Sequence, residues 1–191
     1  MPGYVHLVLL AVLAVGMWLL FTALYPRLML LAYKRAILSQ GIDAGPIPVN
    51  TLYTQPAALF RDPLAPLPKG GSRLMSRGTN RDTLYVVGWL DLSTGPLVLS
   101  VPEMDRWYSV QLTDPTRNIN FAYVGTRTTG DAAGQHLLTG PGWTGEVPAG
   151  MGHVACPHRA VLLVARVFVA SDDDVEEAYD LGRRLRLDPA A

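Results

Sequence analysis

The chain has 191 residues, 16 Lys and Arg against 16 Asp and Glu, and a single cysteine. That balance speaks against a dedicated nucleic-acid binder, whose footprint is a basic excess, and the lone thiol excludes a disulfide framework and a multi-thiolate metal centre. With 49% hydrophobic residues and a mean hydropathy of +0.20, the composition is that of one ordinary domain plus an unusually apolar segment.

The apolar segment comes first. Leu7 to Tyr25 runs for 19 positions without an ionisable side chain, roughly 30 Å as a helix and about one bilayer core. A secretory leader would have a shorter apolar stretch, a Lys or Arg before it and a small-x-small cleavage site after it. Positions 1–6 hold no Lys or Arg, and Leu24-Tyr25-Pro26-Arg27 offers no such site. The expectation is an uncleaved, single-pass transmembrane anchor over residues 1–38, with a cleaved leader or a buried core helix as the alternatives. Pro26 is expected to kink or end the span. Beyond it, Leu28, Leu31, Ala32, Ile37 and Leu38 alternate with Arg27, Lys34 and Arg35 as an amphipathic extension at the membrane surface. Tyr25 and Tyr33 suit the headgroup region, so Tyr25, Arg27, Tyr33, Lys34 and Arg35 are the membrane-interface candidates and the lipid bilayer is the first expected partner. Without those three basic residues the remainder holds 13 Lys and Arg against 16 Asp and Glu, a mildly acidic domain.

Residues 39–82 carry prolines at 46, 48, 56, 63, 66 and 68, which forbid a long helix or a central strand. Interleaved Ile47, Val49, Leu52, Tyr53, Leu59 and Phe60 point to an ordered loop packed on the domain, with a short helical turn at Ala57 to Arg61. Arg61, Lys69, Arg73, Arg77 and Arg81 face only Asp62 in sequence. This local excess suits anionic headgroups or an anionic ligand, or simply a solvated loop.

From residue 83 to 191 the pattern is of short β runs separated by Gly, Pro, Asn and Asp. Strands are expected at 84–92, 97–101, 106–113, 118–125, around 136–138, at 151–156 and at 160–170. In the third, Tyr108, Val110 and Leu112 alternate with Ser109, Gln111 and Thr113, and in the fourth Ile119, Phe121 and Tyr123 share a face. The apolar run from Ala160 to Val169 is the best central strand. Without βαβ alternation the sheets should be antiparallel, a sandwich or partial barrel. SDDDVEEAYDLGRRLRL closes the chain as a helix, capped by Ser171 or Asp172, acidic at its start and basic at its end.

Catalytic signals are scarce. His153, Cys156 and His158 lie close together, but positions 153 and 156 of an extended segment point to opposite faces, so no metal site is expected. No G-x-S-x-G elbow or P-loop is present, and no cofactor is expected. The activity is left open, leaning away from an enzyme. One polar cluster stands out: Asn80, Asp82, Trp107, Tyr108, Arg117 and Arg127, near strand ends, supply the bidentate donors and flat faces that a polar ligand pocket needs. Arg–Asp pairs that pin long loops would use the same residue types.

VNTLY (49–53), NRDTLYVVGWLDLSTGPLVLSVPEMDRWYSVQLTD (80–114), YVGTRTTG (123–130), GPGWTGEVPAG (140–150) and ARVFV (165–169) together resemble the bacterial domain of unknown function twelve-fifty-four. The resemblance covers about residues 45–187. It implies an immunoglobulin-like antiparallel β-sandwich, here with an N-terminal transmembrane helix and a C-terminal α-helix. In longer members this domain resembles the first half of a two-domain β-rich protein, which implies a separately encoded membrane partner carrying the second half. The family supplies no catalytic residues. It implies export, whereas Arg27, Lys34 and Arg35 would hold the domain in the cytoplasm by the positive-inside rule. The expectation taken is a bacterial inner-membrane protein with its domain on the periplasmic side, serving as an accessory module.

Overall fold

The computed structural model describes residues 3–40, 45–55, 57–62 and 80–190. Helix α1 (Gly3–Arg35) is followed by a π-helical turn, Ala36–Gln40. Its most apolar window has a mean hydropathy of 2.6 and none of it is buried, so the helix is long and apolar enough to cross a membrane. Pro26 lies inside α1, so of the two expectations, a kink or an end, the end does not hold. A proline removes the single bond to the Thr22 carbonyl, and the flanking bonds carry the helix across.

Strands β1 (Tyr53–Thr54), β2 (Thr83–Asp91), β8 (Ala160–Phe168), β4 (Tyr108–Asp114) and β5 (Ile119–Gly125) form one antiparallel sheet in the order β1-β2-β8-β4-β5. A second sheet has the order β7-β6-β3-β9, from β7 (Gly152–Ala155), β6 (Gly134–Thr139), β3 (Leu97–Val101) and β9 (Arg186–Pro189). Both sheets feed one core, with Leu84, Val86, Val110, Leu112, Leu163 and Val167 from the first meeting Leu97, Leu99, Val101 and Leu138 from the second. Such alternating burial is what a period of two residues produces when one face is covered.

β8 sits in the middle of its sheet, as its continuous apolar run predicts. Val161, Leu163, Ala165 and Val167 point to the shared core, while Leu162 joins a second cluster with Leu30, Ile37, Ile47 and Trp89. At Val161, Leu162 and Leu163 the strand is covered on both faces and loses its alternation, which returns towards Arg166 and Phe168.

Four expectations need correction. β6 and β7 pair in parallel. The Gly- and Pro-rich connection 140–151 is long enough to bring the chain back to the same end, which a parallel pair requires, without a helix. A bulge between Leu112 and Thr113 shifts the β5 register, so Phe121 packs against the core while Ile119 and Tyr123 are exposed. The final helix is shorter than expected: a 3-10 turn (Asp172–Asp174) leads into α3 (Val175–Arg184), and residues from Arg186 on form β9. Ser171 precedes the 3-10 turn without a side-chain cap, Asp172 lies inside that turn, and Asp174, the residue before α3, does not cap with its side chain either. The Asp174 carboxylate accepts instead from the Ala170 N–H (2.8 Å) and from Arg106 (2.6 Å).

The Pro-rich segment is stitched to β2 over its described part. Asn50 adopts φ 62, its side-chain carbonyl accepts from the Asp91 N–H at 2.7 Å and its amide donates to the Asp91 carbonyl at 3.1 Å. Asparagine tolerates this left-handed backbone and offers both a donor and an acceptor. The expected helical turn is present as α2 (Ala57–Arg61), and Arg61 pairs with Glu176 on α3 at 3.1 Å. Lys69, Arg73 and Arg77 lie outside the described residues.

Candidate functional site

The outer face of the five-stranded sheet has two unlike ends. At one, Trp89 and Leu162 are covered by Leu30 and Ile37 from the end of the membrane-length helix and by Ile47. The Lys34 ammonium lies 5.3 Å from the Trp89 ring, and the Ile47 N–H donates to the Ile37 carbonyl at 3.0 Å. Of the membrane-interface candidates, Tyr25, Arg27, Lys34 and Arg35 are exposed and Tyr33 is half-buried. Leu24, Leu28 and Leu31 are exposed as well, continuing the apolar surface of the span past Pro26.

At the other end the outward residues are polar. Arg166 donates to the Gln111 side-chain carbonyl at 3.0 Å, and its guanidinium carbon lies 5.7 Å from the Tyr85 ring. The Gln111 amide donates to Thr113 Oγ1 (3.1 Å) and Asn120 Oδ1 (3.0 Å), and the Asn120 amide donates to the Tyr123 hydroxyl (3.0 Å). This chain fixes Arg166 while leaving much of its guanidinium unused. Beside it opens a concavity of about 430 Å³ lined chiefly by Trp107, Ser109, Tyr123, Arg127, Thr128 and Arg166.

Two local devices shape that concavity. The first is the turn after β5, where the N–H groups of Thr128, Thr129 and Gly130 all donate to the Gly125 carbonyl, at 2.8, 2.9 and 3.2 Å. The turn lies so close to β4 that a Cβ on Gly125 would stand 2.5 Å from the Tyr108 carbonyl oxygen. Only glycine fits, and the turn thereby presents Arg127 and Thr128 at the rim. The second is Arg106, 11% exposed, which pairs with Asp174 (2.6 Å), Asp105 (2.8 Å) and Glu177 (3.3 Å) and so ties the segment carrying Trp107 to the start of α3. The Arg106 hydrogen bond holds the Asp105 carboxyl below its ordinary range. Burial works against the Asp174 carboxylate, but the Ala170 N–H and Arg106 outweigh it and hold its pKa low as well.

Of the six ligand-binding candidates, Trp107, Tyr108 and Arg127 border this concavity. The Tyr108 ring does not face it: the residue is 2% exposed, its hydroxyl donates to the Gly130 carbonyl at 3.0 Å, and burial pushes its phenol up. Asp82 lies across β8 from Trp107, since the Val169 N–H donates to its carbonyl while the Phe168 N–H donates to that of Trp107. Its carboxylate accepts from the Thr83 hydroxyl at 2.9 Å. Asn80 is exposed and outside the concavity. Arg117 sits in the turn at the far end of β4 and β5, with its N–H on the buried Asp114 carboxylate at 3.3 Å.

Sequence reasoning missed Ser109, Tyr123, Thr128 and Arg166. Arg166 had a signal of its own, as the one cation inside the most apolar strand. The HVACPH residues go to separate partners. His153 shares a 3.0 Å hydrogen bond with the Thr139 hydroxyl and lies 5.6 Å from the Trp143 ring; His158 faces Asp114 at 3.6 Å. Cys156 is buried, which pushes its thiol up to about 12 and leaves it a poor nucleophile. Among the described residues no cluster of three His, Cys, Asp or Glu is placed to hold a metal.

Comparison with known proteins adds one decisive observation: the family model described as a protein of unknown function (DUF1254) matches residues 66–189. The chain belongs to the DUF1254 family. The matched span contains every residue lining the concavity and excludes α1 and most of the Pro-rich segment. A solved relative, the VPA0106 protein from Vibrio parahaemolyticus, superposes with a TM-score of 0.55 at 30% identity, over 59% of this chain and 29% of that one. A putative uncharacterized protein from Burkholderia cenocepacia gives a TM-score of 0.43 at 13% identity, over 74% of this chain and 34% of that one. This DUF1254 chain therefore spans about a third or less of either solved protein. No curated protein matches it.

Proposed function

We propose that the protein is a single-pass, membrane-anchored β-sandwich of the bacterial cell envelope, immunoglobulin-like in layout. In this reading it is an accessory module that docks a partner carrying the complementary β-rich domain. The observation that carries docking is the edge of β5. No described strand pairs with its free side, and it exposes Ile119 (56%) and Tyr123 (44%). An uncovered edge with large apolar side chains is a template for another chain's strand. The anchor is supported by the continuity of α1, whose end is built into the cluster on the outer sheet face.

The test is purification of the tagged full chain in mild detergent. A second membrane protein is expected in fixed proportion and is lost with Ile119→Lys while the fold is kept; a clean monomer, or a partner indifferent to Ile119→Lys, overturns docking. Alkaline phosphatase fused to the C-terminus is expected to be active, and an inactive fusion overturns the periplasmic orientation.

A second reading, a receptor for a polar ligand at the Trp107–Arg166 concavity, is favoured by a separate observation. Neither Arg127 nor Arg166 has a carboxylate partner among the described residues, although both line one depression. Cations left unpaired beside aromatic walls are an arrangement suited to an incoming anion.

A further inference from the structure

Resting on that second reading, we infer that the concavity takes a small, flat carboxylate: an aromatic ring bearing a carboxyl group. The charge comes first. Among the described residues the lining carries two guanidiniums, Arg127 and Arg166, and no carboxylate. Arg166 is held from behind by Gln111 and by the Tyr85 face, so its orientation is set before any ligand arrives. A planar guanidinium fork matches a carboxylate through two parallel hydrogen bonds.

The backbone then separates carboxylate from phosphate. Phosphate sites are typically cradled by free N–H groups of a turn or a helix start. Here the N–H groups of Thr126, Thr128, Thr129 and Gly130 are spent on the Tyr108 and Gly125 carbonyls, which leaves the turn only the single N–H of Arg127, too little for a cradle. Recognition falls chiefly to side chains, with Ser109 and Thr128 in the lining beside the two arginines.

The walls supply the rest. Two aromatic side chains, Trp107 and Tyr123, line the same depression, and about 430 Å³ is within the range of small-ligand pockets. An acetate-sized anion would leave those side chains in water. A ring covers them and adds the stacking that such pairs provide.

The experiment is calorimetric titration of the full chain in non-ionic detergent with benzoate, benzamide, phenyl phosphate and acetate. Benzoate is expected to bind, with the neutral benzamide and acetate each weaker by roughly tenfold or more. Arg127→Gln is expected to weaken benzoate by about tenfold. Arg127 is exposed and no hydrogen bond or ion pair ties its side chain to a described residue, so this variant is expected to keep its structure. Trp107→Ala should cost about fivefold. Phenyl phosphate binding more tightly than benzoate, with the same dependence on Arg127, overturns the carboxylate class and keeps the ligand reading. Acetate matching benzoate overturns the ring. Binding by none of the four, or benzoate binding unchanged by Arg127→Gln and Arg166→Gln, overturns the carboxylate and the receptor reading together.

Discussion

The two ends of one sheet face share strands β2 and β8 and differ in what covers them. Where Trp89 and Leu162 point outward, the chain brings its own helix and loop to seal them. About four residues further along β8, Arg166 points the same way and nothing in the described chain covers it with charge. A strand distance of roughly 13 Å thus separates a structural joint from an open polar depression. Side chains covered by the chain itself answer to packing, and those left open answer to an outside ligand or partner.

The largest expected effect breaks the sealed end. Trp89 is 4% exposed and stands between β2 and the α1 extension. Trp89→Ala should cost about 3 kcal/mol in the urea-unfolding free energy of the domain, the lower part of the range for truncating a large core aromatic. It should also loosen the Lys34 contact, read as faster hydrogen exchange over residues 36–38. A loss under about 1 kcal/mol would mean that the helix merely touches the sheet and that the two ends are alike.

The next effect falls on the open end. Gly125→Ala forces a Cβ to within 2.5 Å of the Tyr108 carbonyl oxygen, so β4 or the turn must shift. A destabilisation on the order of 2 kcal/mol is expected. Arg127 and Thr128 would move with the turn, so benzoate binding should weaken more than unfolding alone explains. Unchanged binding would show that the turn does not position the rim.

Much of this fold is legible in the sequence because apolar periodicity is a local signal. β3 was bounded correctly from its turns alone, and the central place of β8 follows from its unbroken apolar run. What failed was long-range. The parallel β6–β7 pair depends on where a Gly-rich loop returns, and the β5 faces depend on a bulge created by pairing. The candidate site divides in the same way. Trp107 and Arg127 announced themselves as an aromatic and a cation at strand ends. Tyr108 borders the concavity with its ring buried, as its alternation with Val110 and Leu112 implies. Arg117 resembled Arg127 in type and setting, and only the hairpin's length separates them. Ser109 and Thr128 carry no signal of their own, since small hydroxyl residues in strands and turns are common.

The smallest effect concerns the clamp that holds Trp107 at the open end, and it is read through pH. Asp105 and Asp174 are both held below the ordinary carboxylate value of 3.8, the first by its Arg106 hydrogen bond and the second by the Ala170 N–H and Arg106 against burial. Depressed carboxylates stabilise the fold above their unfolded pKa, and that contribution is lost as pH falls through the folded values. The clamp is therefore at full strength above about pH 5 and fails below 3.8. Arg106→Gln should cost about 1 kcal/mol at pH 7, because part of the network is open to water. It should also flatten the fall of the urea midpoint between pH 5 and pH 3. The sealed end has no such carboxylate among its cluster residues, and the neighbouring Asp91 carboxyl is held low chiefly by Ser93, so Trp89→Ala should shift the whole pH curve down with little change in slope. If Arg106→Gln left the slope intact, the acid sensitivity would lie elsewhere, and Trp107 would be held by packing in the same way as Trp89.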